Sequence, residues 1–300
     1  MYGKGWSRVI PYLCFLPGLL LYLVMTLGPS LATAVFSCTN ISGTPDTPWQ
    51  VIGFDNYKEY IFGSSARDNL DAFYRTIIFC TVVTLLQNSL ALLLAILLNS
   101  KLRGTTFYRA IIFLPVVLGV TVTGLMWTVV LNPIDGPVER LFHLLGQNST
   151  LLGSYTMAFP LVIFIQIWAS IGFALVIYLA GLQAIPAELI EAALVDGGKA
   201  SQVFRYITFP LLAPAVTINI MLSIIGSLQS YQLIYVLTGS GNGVAGGFNT
   251  SVLSLQIFNS AFSSSLRQGY ASALGMLQFL LVLVVALAFQ FYLRRREVQL

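Results

Sequence analysis

At 300 residues the chain has room for one or two soluble domains, yet 57% of its residues are hydrophobic and only 9% are charged. With a mean hydropathy of +0.83 it belongs in a bilayer. The net charge of +4 gives no case for nucleic acid, because cationic residues placed beside inner membrane ends meet anionic lipid.

Spanning a hydrocarbon core takes roughly 20 largely apolar residues of helix. Six runs meet that length, about 9–37, 73–98, 110–131, 156–183, 211–237 and 270–293. They predict an all-α membrane protein with six transmembrane helices, a single domain over residues 1–300. No loop is long enough for an inserted external domain. If the N-terminus lies inside, the inner face collects Lys4, Arg8, Lys101, Arg103, Arg109, Lys199, Arg205, Arg294, Arg295 and Arg296, against Lys58, Arg67, Arg75, Arg140 and Arg267 outside. That bias puts both termini in the cytoplasm.

The first run carries Pro11, Pro17, Gly28 and Pro29, so its ends should be irregular. It is too long for a cleaved signal peptide and is read as a resident helix. An external loop from Cys38 to about Ala72 follows. The second run is interrupted only by Gln87, Asn88 and Ser89, which should face other helices or a cavity. The short basic loop from Asn99 to Arg109 marks the cytoplasmic side, and the third run then carries Pro115, Gly119 and Gly124. Beyond it the only histidine, His143, sits on an amphipathic stretch with Val138, Leu141, Phe142 and Leu145, which reads as an interfacial helix with a surface histidine.

The fourth run places Gln166 and Ser170 four apart on one face. A mostly polar island, Ala184 to Pro210, separates it from the fifth. The fifth run has a stripe of small and polar residues at Asn219, Ser223, Gly226 with Ser227, and Ser230 with Tyr231. Such a stripe serves close helix packing or a substrate path, and spacing leaves both open. Gln229 and Gln232 lie off it. A Gly-rich turn from Gly239 to Gly243 leads to a short outer helix within Asn249 to Phe262, and the sixth run stops at Arg294-Arg295-Arg296.

Catalytic chemistry is hard to assemble from one histidine and three cysteines without a CxxC pair. The acids all lie in loops or at helix ends, which argues against proton coupling. Gly197-Gly198-Lys199-Ala200-Ser201 approaches a phosphate-binding loop, but the hydroxyl residue is one place late and Ala193 stands where a glycine is needed. If ATP is the energy source, a separate subunit must bind it and must touch the cytoplasmic face.

The island supplies the surface for that contact. Pro186 suits a first helical position, and Glu188 and Glu191 fall in the early turns where the helix dipole favours acids. Ala187 to Val195 has helical periodicity, and Gly197 can take the left-handed conformation that ends the helix. A second helix through Phe204 runs to Pro210.

Glu191-Ala192-Ala193, Gly197, Ile207 and Pro210 stand at the spacing that marks the membrane-spanning permease subunits of binding-protein-dependent ABC importers, with Phe209 where leucine is usual. The chain resembles that family. Leu237-Thr238-Gly239-Ser240-Gly241, Ala261-Phe262 and Gly269-Tyr270-Ala271-Ser272-Ala273 extend the resemblance to its carbohydrate branch, similar to the maltose and glycerol-phosphate permeases.

The resemblance implies a second homologous permease, two ATPase subunits that bind the ATP and Mg, and an extracytoplasmic sugar-binding protein, in the inner membrane of a prokaryote. The island would be the coupling helix, with Glu188, Glu191, Ala192, Ala193, Asp196, Gly197, Ile207 and Pro210 meeting the ATPase. Resemblance to the maltose permease points to a sugar site at Ser223, Ser227, Ser230 and Tyr231, with Asn219 and Gln166. Glycerol phosphate or a polyol as cargo, or a structural subunit without substrate contacts, are the alternatives.

Overall fold

The computed structural model describes residues 6–44, 46–100, 103–146, 151–239, 250–263 and 266–294. These are overwhelmingly helical, and two compact units group residues 6–67 with 257–277, and 68–256 with 278–294. The expectations that fall on Lys4, Lys101, Ser240 to Asn249, Arg295 and Arg296 lie outside the described residues.

In the first unit α1 (Trp6–Tyr22) passes through a π-helical turn, Leu23–Leu27, into α2 (Gly28–Phe36). The apolar stretch Tyr12–Phe36 is long enough to cross a membrane, and none of its best window is buried. The prolines leave it continuous, because a wider turn absorbs the backbone register that Pro29 disrupts. After it, α3 (Asp55–Phe62) is pinned by Asn56, which is buried and donates to the carbonyls of Ser37 (2.9 Å) and Thr39 (2.8 Å). Arg267 clamps the same helix through a two-pronged pair with Glu59, at 2.8 and 2.5 Å, while its guanidinium stacks over the Tyr270 ring. Gly269 is fixed by crowding: a Cβ there would collide with the Thr39 carbonyl oxygen.

The second unit holds the long helix α4 (Ala66–Asn99) over most of its length. The third run does not form one straight helix. It splits into α5 (Thr105–Val117) and α6 (Val120–Val130), bent by 97° at Gly119, whose φ of +70° a side-chain-bearing residue rarely adopts. Helix α7 (Pro137–Leu144) is the amphipathic segment that carries an exposed His143. Helix α8 (Ala158–Gln183) is uninterrupted and packs against α5, closely enough that a Cβ on Gly172 would sit 2.5 Å from the Ile112 carbonyl.

The polar segment folds as α9 (Ala187–Val195), α10 (Ala200–Val203), a π-helical turn Phe204–Thr208, and α11 (Phe209–Leu211). A 64° bend then leads to α12 (Ala213–Leu228), followed after a three-residue break by α13 (Gln232–Thr238). The fifth run is therefore also interrupted, at Gln229–Tyr231. Helices α14 (Leu253–Phe262) and α15 (Gln268–Arg294) are the last two described elements.

Among the described residues, four helical stretches are long and apolar enough to cross a membrane, and each bent pair adds one more if counted as a single span. The centre of the second unit is polar as well as apolar. Asn88, buried at mid-helix, donates to the Thr84 carbonyl (2.8 Å) and Ser223 Oγ (3.0 Å) and accepts from Tyr178 Oη (2.9 Å). This is how α4, α8 and α12 satisfy groups that lipid cannot.

Candidate functional site

Two features stand out. The first is the 184–210 segment. Pro186 has φ −57° and ψ 128° and caps the helix from outside, so it lies one place before the first helical position the sequence suggests. Helix α9 ends in a Schellman arrangement. The Gly197 N–H donates to Leu194 O (3.1 Å), the Gly198 N–H donates to Ala193 O (2.9 Å), and Gly197 carries the left-handed φ of +83°. Lys199 then starts α10, its N–H held by Gln202 Oε1 at 2.8 Å.

Val203, buried beneath Gly198, anchors the corner. Glu188, Glu191, Ala192 and Asp196 are exposed, as are the apolar Leu194 and Val195, whereas Ala193, Ile207 and Pro210 are half-buried. The corner thus presents an acidic and apolar face on a backbone with little freedom. Gly198 and Val203 carry no signal of their own in the sequence. Their roles follow from the corner geometry, because a Cβ on Gly198 would lie 2.7 Å from Ala193 O.

The second feature is a recess of about 270 Å³ lined by Gln166, Ser170, Gln229, Ser230 and Gln232, with Val120, Ala169, Gly226 and Leu233. It lies where both interrupted runs lose their helices, at Gly119–Val120 and at Gln229–Tyr231. Irregular backbone at membrane depth is tolerated where it is covered by protein or lines a cavity, and discontinuous helices are a recurrent way to build a transport site. Ser230 Oγ donates to Gln166 Oε1 (2.7 Å), and Ser170 Oγ to Gln87 Oε1 (3.0 Å). Five of the nine lining residues are polar and none is ionisable.

Of the predicted substrate residues, Gln166 and Ser230 meet in this recess. Asn219, Ser223 and Ser227 do not line it. All three are buried, Asn219 donating to Ala174 O (3.0 Å), Ser223 accepting from Asn88, and Ser227 donating to Ile224 O (3.0 Å). They carry the packing role that the stripe left open. Tyr231 is half-buried next to the recess without lining it. The reason is that α12 ends at Leu228, so the helical period that aligns Ser230 with Ser223 and Ser227 no longer applies. The same break turns Gln229 and Gln232, off the stripe in sequence, into lining residues.

A helical chain with several apolar spans, a recess at two helix breaks and an exposed corner between spans has the features expected of a membrane transport subunit. Residues 87–299 match the family described as binding-protein-dependent transport system inner membrane component, and the chain belongs to it. It is 33% identical over 274 residues to the trehalose/maltose transport system permease protein MalF of Thermococcus litoralis, covering 91% of this chain and 89% of that one. The sn-glycerol-3-phosphate transport system permease protein UgpA of Agrobacterium fabrum is 29% identical, with 95% and 94% covered. Among solved structures, a chain of a bacterial alginate ABC transporter, in complex with an alginate pentasaccharide-bound periplasmic protein, superposes with a TM-score of 0.84 at 21% identity, covering 98% and 97%. That likeness establishes the shared fold.

Proposed function

We propose that the chain is the permease subunit of an ATP-driven importer for a neutral sugar, handed over by an extracytoplasmic binding protein. It is a single permease domain without an inserted external domain, crossing the inner membrane of a prokaryote six times with both termini cytoplasmic. It works with a second homologous permease and two ATPase subunits, and those subunits hold the ATP and Mg.

The observation that carries the sugar reading is the recess. Gln166, Ser170, Gln229, Ser230 and Gln232 offer amide and hydroxyl groups of both senses, which is what sugar hydroxyls require. An anionic cargo calls for a cation in the same place. Glycerol phosphate is the second reading, because one relative bears that name, but the uncharged lining weighs against it. The name of the trehalose/maltose system supports the sugar class.

Sugar uptake in proteoliposomes tests this. Gln166→Ala or Ser230→Ala should raise the apparent KM by roughly three- to tenfold, the equivalent of about 1 kcal/mol of hydrogen bonding, with basal ATP hydrolysis retained. Unchanged uptake in the double variant would favour a subunit without substrate contacts of its own.

The 184–210 corner couples the ATPases to the spans in this reading. Glu188, Glu191 and Asp196 supply charge, Ala192 and Ala193 allow close approach, Gly197 makes the corner, and Ile207 and Pro210 lead into the membrane. The exposure of the acids and the fixed Schellman turn support it.

A further inference from the structure

Helix α12 stops at Leu228, and the stop leaves backbone groups to be satisfied inside an apolar span. In a continuous helix the Leu228 carbonyl would accept from the Gln232 N–H. That bond is not made. The N–H groups at the break find carbonyls close by, Gln229 on Ile225 O (3.2 Å), Ser230 on Ser227 O (3.3 Å) and Tyr231 on Gln229 O (2.9 Å). Leu228 itself is 1% exposed, so its carbonyl needs a donor from the protein.

That donor comes from another helix. Gln278 of α15 donates from Nε2 to Leu228 O at 2.7 Å. It lies within the apolar stretch Gln268–Phe291 and is 9% exposed. Leu281, Val282 and Val285, on the same face of α15 at helical spacing, pack against the cluster of Cys80, Ile224 and Leu228. Gln278 Oε1 is buried and has no hydrogen-bond partner. A buried acceptor left unmade is unfavourable, so a side chain that only filled this space would serve better if it were apolar like its neighbours. The bond to Leu228 O is what the amide adds.

We propose that Gln278 is the positioning residue for the recess: by taking up the Leu228 carbonyl it lets α12 stop there, and the stop turns Gln229, Ser230 and Gln232 into lining residues. Without it the carbonyl is left to the Gln232 N–H, and α12 runs on into α13. Ser230 then returns to the helical period of Ser223 and Ser227, away from Gln166. That this geometry serves sugar rests on the proposed function.

The test uses the complete transport complex in bilayer nanodiscs. Backbone amide exchange over 229–233, read by mass spectrometry, reports on the break without sugar. Gln278→Met and Gln278→Leu keep most of the bulk and remove the donor, and exchange there should slow by roughly tenfold as the Gln232 N–H gains a helical bond. Loss of a merely stabilising contact moves exchange the other way. Gln278→Glu asks the same question of one assembled protein, because a protonated acid donates and a carboxylate cannot. Compared with wild type at the same pH, its exchange should be equal in acid and slower in base. In sugar uptake, Gln278→Met should raise the KM by roughly tenfold, and Ser230→Ala should add little on top of it, the hydroxyl having already left the recess.

Exchange that is unchanged or faster in both apolar variants would overturn the proposal, as would a Gln278→Glu variant that behaves alike in acid and in base. If neither apolar variant assembles, the comparison of acid with base decides alone. Slower exchange with an unchanged KM would leave the positioning role standing and count against the recess as the sugar site.

Discussion

Gly197 holds φ +83° with open space around its Cα, so the cost of a side chain there is conformational, not steric. Gly197→Val should destabilise the corner by about 1–2 kcal/mol, the cost of a left-handed residue. In the proposed mechanism it should also lower both co-purification of the ATPases and substrate-stimulated ATP hydrolysis. Normal values of both would remove the corner from the coupling path.

Glu59 gives a residue-scale prediction of the opposite kind. The two-pronged hydrogen bond from Arg267 holds its carboxyl below the ordinary value of 4.5. A depressed carboxyl pKa means the pair contributes fully above about pH 4.5 and loses its contribution as pH falls through the lowered value. The Tm gap between wild type and Glu59→Gln should therefore be largest near neutrality and close in acid. Both side chains are partly exposed, so the gap should correspond to about 0.2–1 kcal/mol.

Among elements, α8 packs closely on α5. A Cβ on Gly172 meets backbone, the Ile112 carbonyl and Phe113 Cα, not a side chain that can swing away. Gly172→Ala should force the helices apart and cost about 1–3 kcal/mol, read as earlier thermal unfolding and a loss of assembled complex. Tyr178→Phe, which strips Asn88 Oδ1 of its donor while keeping the ring, should cost only about 0.6–1.7 kcal/mol.

Elements also show what was legible in the sequence. Ala187–Val195 and its glycine stop could be read directly, because capping and dipole preferences are local. The breaks at Gly119 and at Gln229–Tyr231 could not, since a run of apolar residues looks the same whether its helix is straight or bent. Hydropathy counts residues, whereas the bend depends on one backbone angle and on the neighbours that cover the freed N–H and C=O groups. The recess was missed in the same way: Gln229 and Gln232 join Gln166 and Ser230 only after the helical period is broken. Asn88 was legible as a residue that must face protein, though not its partners on α8 and α12.

At the scale of the whole molecule the prediction concerns sidedness. Cys38 lies at the end of the first spanning stretch and is half-buried. With Cys14 and Cys80 replaced by serine, a membrane-impermeant maleimide should label Cys38 in intact cells from the outside, whereas a cysteine introduced at the exposed Ser201 should react only after the cells are permeabilised. The reverse pattern would invert the topology proposed for all six spans.

The 64° bend at Leu212 has a mechanical consequence. Leu212 and Ala215 are pressed onto Gly181 of α8, where a Cβ would lie 2.8 and 2.7 Å from them, so the bend rests on a fulcrum with no slack. Beyond it α12 is a rigid arm of 16 residues, roughly 24 Å long at ~1.5 Å per residue. A tilt of about 10° at the fulcrum carries the far tip by roughly 4 Å over such a length, more than the span of the Ser230–Gln166 hydrogen bond. In the proposed coupling, such an arm would convert a small turn at the 184–210 end into the making or breaking of the Ser230–Gln166 hydrogen bond in the recess.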